Sequence, residues 1–165
     1  MGFQTTVNTY AEAGVPGQEV NPGSAEYTAP NYVSDGTAEA GAFAYVGSAD
    51  DAGTAITFKI ATKTGTGTTD LIGFVARDVI ASIEDPTVEG TNVYPVGVGL
   101  AIAVRGAFYA EAAADLSAEG QAVLVTDGTV TYGDAGSDGD TGWLVKFSQG
   151  KSSAASGDIV IYYKE

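Results

Sequence analysis

The residues whose types and spacing could do chemistry are carboxylates. The run Asp134-Ala135-Gly136-Ser137-Asp138-Gly139-Asp140 places three aspartates among glycines. Calcium takes six to eight oxygens, and such a loop can wrap an ion. The spacing departs from the EF-hand, and no glutamate closes the loop. The run therefore reads as a solvated acidic loop. Paired carboxylates can cleave glycosides without histidine. The candidate pairs Asp50/Asp51 and Glu84/Asp85 sit in turns beside glycine and proline, and no pattern sets two of them across a cleft. Gly65-Thr66-Gly67 lacks the Lys-Ser/Thr that a phosphate loop requires. The chain has no histidine and no cysteine. That excludes Ser-His-Asp and Cys-His catalysis within this chain, thiolate metal sites and disulfides. The expectation is a protein that is not an enzyme, with no catalytic residue, no cofactor and no metal site.

The elements around these residues read as short strands. The chain has 165 residues, 44% hydrophobic, and 23 glycines without a triplet period. Such a composition fits one domain built of brief strands joined by many turns. Strand-like runs occur at 41–47, 55–61 and 71–77. In 94–105, Val96, Val98, Leu100, Ile102 and Val104 alternate with small residues, as in a strand covered on both faces. Residues 121–126 and 129–132 flank Asp127-Gly128, the strongest hairpin signal, because a type I′ turn needs positive φ at both central positions. Runs at 143–147 and 158–163 complete the set. Residues 111–119 are alanine-rich and predict one short helix. The fold class expected is all-β: a compact barrel or sandwich of short antiparallel strands, one short helix and an extended N-terminal arm.

The arm is residues 1–35 and the β-domain residues 36–165. Pro16, Pro22 and Pro30 fall in the arm, which sustains neither helical nor strand periodicity. It is nonetheless apolar, so it must lie on some surface. Phe3, Tyr10, Val15, Pro16, Val20, Tyr27, Pro30 and Tyr32 are its candidate interface residues. Fully stretched, about 35 residues span on the order of 100 Å, enough to touch more than one neighbour. The net charge is −14, from 21 acidic and 7 basic residues, and the first basic residue is Lys59. An acidic surface repels phosphate backbones and anionic lipid, so neither nucleic acid nor membrane is an expected partner. Nine tyrosines keep a second reading open, a carbohydrate-binding β-module or adhesin exposed on a virion or cell surface.

The order of segments resembles the structural cement, or head decoration, proteins of tailed double-stranded DNA phages. The resemblance begins at Tyr10 and Gly14-Val15-Pro16-Gly17, followed by Asn21-Pro22. It continues through Phe43-Ala44-Tyr45-Val46, Gly73-Phe74-Val75-Ala76-Arg77 and Phe108-Tyr109-Ala110. It ends with Gly120-Gln121-Ala122-Val123, Asp127-Gly128-Thr129-Val130 and an apolar final strand. The resemblance implies a non-enzymatic protein on the outer surface of the capsid. Its partners would be the major capsid protein and copies of itself, a homotrimer ahead of a homodimer. It would bridge neighbouring capsid subunits against internal DNA pressure.

Overall fold

The computed structural model describes residues 14–28, 32–47, 59–62, 65, 70–77, 92–148 and 150–165. Eleven strands lie among them: β1 (Glu26–Tyr27), β2 (Tyr32–Ser34), β3 (Phe43–Val46), β4 (Lys59–Thr62), β5 (Leu71–Val75), β6 (Gly99–Leu100), β7 (Ile102–Glu111), β8 (Ala122–Thr126), β9 (Thr129–Gly133), β10 (Asp140–Phe147) and β11 (Ile159–Lys164). They form one curled sheet in the order β6-β2-β4-β3-β5-β7-β11-β10-β8-β9, with β1 added on β7. The β2–β4 pair is parallel; the other named pairs are antiparallel. The curl brings the β8–β9 turn back to the link after β4, where the Gly128 N–H donates to the Gly65 carbonyl at 3.0 Å. The architecture is all-β, an open half-barrel.

Alternation within the strands builds two cores. Phe43 and Tyr45 of β3, Phe74 of β5 and Ala103 of β7 enter the first; Ala44, Val75 and Ile102, their neighbours in sequence, enter the second. Strands buried on both faces need apolar residues at every position, which is why these runs lack polar partners. Phe74 is the hub of the first core. Its ring centroid lies 5.5 Å from Phe43, 5.3 Å from Phe108, 5.6 Å from Trp143 and 6.0 Å from Tyr162. Tyr32, Tyr94, Leu100 and Ala38 close the second core.

β7 joins the two parts of the sheet. Ile102 and Ala103 pair with β5, and residues 106–111 pair with β11. Gly106 stands at the changeover with φ +127°, and a Cβ there would lie 2.9 Å from the Ala25 Cβ. The register with β1 slips at the same point: Glu26 faces Arg105, but Tyr27 faces Ala103. A bulge of this kind re-aims a strand and lets it serve two sheets.

The Asp127-Gly128 turn forms as expected, with φ values of +50° and +77°. The short helix at 111–119 does not form. Residue 111 ends β7, and Leu116 makes an antiparallel bridge with Ala154. The Leu116 and Ala154 N–H groups each donate to the other's carbonyl, and the Ala112 N–H donates to the Asp158 carbonyl. Ala112 and Leu116 are buried in the first core through that extended path. Helix propensity amounts to a few tenths of a kcal/mol per residue, so these contacts override it.

Candidate functional site

The described carboxylates do not assemble into a reaction centre. Asp140 spends both oxygens on its own loop, accepting from the Gly136 N–H at 2.7 Å and the Gly142 N–H at 2.8 Å. Among the described residues no three acidic side chains come together in a way that could hold a metal ion. Asp50, Asp51, Glu84 and Asp85 lie outside the described residues. A cleft of about 390 Å³ is lined by Glu39, Asn92, Glu111, Val130 and Tyr162, among others. The Tyr162 hydroxyl is bonded to that of Tyr132 at 3.0 Å. Burial, then the neighbouring Tyr132, pushes the Tyr162 phenol well above its ordinary pKa.

What the fold does build is a clasp. Residues 14–28 lie along β7. The Gly17 N–H donates to the Tyr109 carbonyl (2.8 Å), the Tyr109 N–H to the Gln18 carbonyl (2.9 Å), and the Val20 N–H to the Ala107 carbonyl (2.8 Å). The Thr28 N–H closes the far end on the Ile102 carbonyl at 2.9 Å. Two glycines set the near end. Gly17 has φ +83°, and a Cβ there would lie 2.9 Å from both the Arg77 and Gly41 nitrogens. Gly41 has φ +88°, and its Cβ would lie 2.6 Å from the Pro16 Cβ. Arg77 locks the junction: its Nε donates to the Pro16 carbonyl at 3.0 Å, its N–H donates to the Gly17 carbonyl at 2.8 Å, and its Nη2 bonds Asn92 Oδ1. Gly14 lies so close over the Tyr109 ring that a side chain would overlap it.

Between the two ends the chain turns around Glu19. Its carboxylate accepts the Ser24 and Ala25 N–H groups at 2.7 Å each, the Gly23 N–H at 3.1 Å and the Ser24 hydroxyl at 3.1 Å. Partial burial pushes the Glu19 carboxyl up, but these donors outweigh it and hold the group below its ordinary value. Carboxylate oxygens that collect several N–H groups fix a loop as a cap fixes a helix end.

The clasp distributes the interface candidates unequally. Val15 is 48% exposed and Tyr27 44%, at opposite ends. Pro16 and Val20 are partly buried against the sheet. Tyr32, at 8% exposure, packs inside the second core. Phe3, Tyr10 and Pro30 lie outside the described residues. Gly17, Glu19, Gly41 and Arg77 hold the clasp and were not among the sequence candidates. The glycines around Pro16 signalled a turn, but their partners are up to 92 positions away, beyond any local pattern.

An open β-sheet that binds its own front segment, with apolar side chains left outside, defines a scaffold that offers surface. The same fold occurs in a chain from a structure titled "The capsid of Myoviridae Phage XM1". The likeness covers 99% of this chain and 97% of that one, with a TM-score of 0.57 and 13% identity. The model of the phage structural cement protein family, described by E217 gp24 and Pam3 gp6, matches residues 3–163, and the chain belongs to that family. Its role is therefore that of a phage structural protein. No curated protein matches the sequence. The motifs on which the family resemblance rested meet in space: Gly14-Val15-Pro16-Gly17 docks against Arg77 and Tyr109, from two of the other quoted segments.

Proposed function

We propose that this protein is a non-enzymatic decoration protein on the outer surface of a phage head. It bridges neighbouring major capsid subunits and holds the shell against internal DNA pressure. The observation that carries this reading is the clasp in a member of the cement family: a front segment fixed to the sheet, with Val15 and Tyr27 directed outward. The fold shared with a chain from the XM1 capsid structure is consistent with a place on the shell. A net charge of −14 suits an outer surface better than one facing DNA.

Phe3, Tyr10, Val15, Pro16, Val20, Tyr27 and Pro30 act as contacts along the arm, residues 1–35, and Tyr32 joins it to the β-domain, residues 36–165. The protein works as a homotrimer. Each copy buries a modest area, and simultaneous contact with several shell subunits multiplies the affinity of each. The test uses heads made without the protein. Adding it back should raise the temperature at which the heads release DNA, and bare heads as heat-resistant as decorated ones would refute the reading. Removing residues 1–13 spares Tyr32 and the clasp. It should weaken binding to heads at unchanged melting temperature.

A further inference from the structure

The side of the sheet opposite the first core carries its own pattern. Across β7, β11 and β10 the pairing sets Tyr109 beside Ile161 and Ile161 beside Lys146. The next outward-facing row sets Ala107 beside Tyr163 and Tyr163 beside Leu144. The residues between these rows, Phe108, Tyr162 and Val145, belong to the first core. An antiparallel sheet with one wet face normally alternates apolar with polar side chains. Here the second face is apolar as well. Ile161 is only 5% exposed yet belongs to neither core, and Tyr109, Tyr163 and Leu144 beside it are half-buried.

The basic residues distinguish this face further. Five have described side chains: Arg77, Arg105, Lys146, Lys151 and Lys164. Arg77 is tied to Pro16 and Asn92, Arg105 faces Glu26 at 4.0 Å, and Lys151 pairs with Asp158 at 3.0 Å. Lys146 and Lys164 have no carboxylate partner among the described residues. Lys146 lies on this face with its ammonium 5.0 Å from the Tyr163 ring centroid, and Lys164 ends β11 with its ammonium beside Gly142. In a chain with three times as many acidic as basic residues, Lys146 thus stands on this apolar face without a carboxylate partner among the described residues.

We propose that this face, centred on Tyr109, Tyr163, Leu144 and Lys146, seats on a carboxylate-bearing apolar surface of the capsid subunit. The inference rests on the shell-binding role above and assigns its surface. The rings and Leu144 supply apolar area, and Lys146 supplies charge complementarity. A second copy is the weaker occupant on charge. A two-fold contact centred on this face would bring two Lys146 ammonium groups together. The clasp meets this face where Gly14 covers Tyr109, so exposed Val15 extends its rim.

Co-sedimentation with heads lacking the protein tests the proposal, using wild type, Lys146→Glu and Leu144→Ser. Lys146→Glu should weaken binding roughly tenfold or more and flatten its dependence on salt, at unchanged melting temperature. Leu144→Ser should weaken binding with the salt dependence retained. Lys146→Ala removes the charge without adding one and keeps the test valid if the reversal disturbs folding. If the wild type binds and the variants bind equally well, this face is not the docking surface, and the capsid reading stands. If the variants bind heads normally but lose self-association, the face belongs to a second copy and the proposal is overturned. If the wild type binds no heads, the capsid reading itself fails.

Discussion

Replacing Gly17 with alanine should open the clasp without dismantling the two cores. At φ +83° any residue with a Cβ costs about 1–2 kcal/mol. At Gly17 the new methyl also lies 2.9 Å from two backbone nitrogens, those of Arg77 and Gly41, which cannot swing aside as a flexible side chain would. Overpacking of this kind adds about 1–3 kcal/mol. The total is about 2–5 kcal/mol, or a fall in melting temperature of roughly 5–15 °C at this chain length if the clasp and sheet melt together. Gly157→Ala is the control: its φ is +88°, but nothing lies within 4 Å of the added Cβ, so only the backbone cost applies. Hydrogen exchange localises the effect. The N–H groups of Tyr109 and Val20, which bridge clasp and β7, should lose protection in Gly17→Ala, while those of Val145 and Val160 in the core keep it. Equal destabilisation by the two substitutions, or protection lost evenly over the sheet, would refute the wedge of Gly17 between Arg77 and Gly41.

Two further outcomes follow from the first core. Phe74→Ala removes the ring that touches four other aromatics and should cost about 3–5 kcal/mol in chemical denaturation. A loss below 1 kcal/mol would remove Phe74 from its place as hub. The second outcome concerns alkaline pH. Burial pushes the Tyr45 phenol from 10.0 up to about 12, and its hydroxyl has no hydrogen-bond partner among the described residues. The unfolded chain therefore loses this proton first as pH rises. The stabilising difference is complete below about pH 10 and is lost towards pH 12, by about 2.7 kcal/mol at most. Tyr162 shifts in the same direction and adds to the loss. Tyr45→Phe should flatten the alkaline limb of a stability–pH curve and gain about 1 kcal/mol at neutral pH, where an unpaired hydroxyl no longer has to be buried. An unchanged alkaline limb would show that the phenol is solvated.

Much of the sheet was legible in the sequence because its strands follow local rules. Asp127-Gly128 announced the β8–β9 turn through the φ requirement of its type, and the apolar runs of β3, β5, β7 and β11 stand near their expected positions. The elements that were not legible depend on distant partners. β2 is three residues long and pairs in parallel with β4, so neither its length nor its flanking residues mark it. The alanines of 111–119 favoured a helix, but the edge provided by Ala154 and Asp158 took their hydrogen bonds. The clasp was read only as apolar and irregular. Its anchoring atoms on Arg77, Gly41 and Tyr109 belong to segments that no local window joins to Pro16. Val15 and Tyr32, both selected as apolar arm residues, have opposite exposures, because orientation depends on which edge the segment meets.

The clasp also imposes an order on synthesis. Gln18 bonds to Tyr109, 91 residues later in the chain, and Thr28 to Ile102. At about 5–20 residues per second, the front waits roughly 5–20 s on the ribosome before its binding edge exists. Throughout that interval its backbone groups are paired only with water and its apolar side chains stay exposed. Glu12, Glu19 and Glu26, spaced seven apart with no cation before Lys59, give the waiting segment a uniform negative charge. Copies on neighbouring ribosomes therefore repel one another at the stage when strand exchange between them would be easiest.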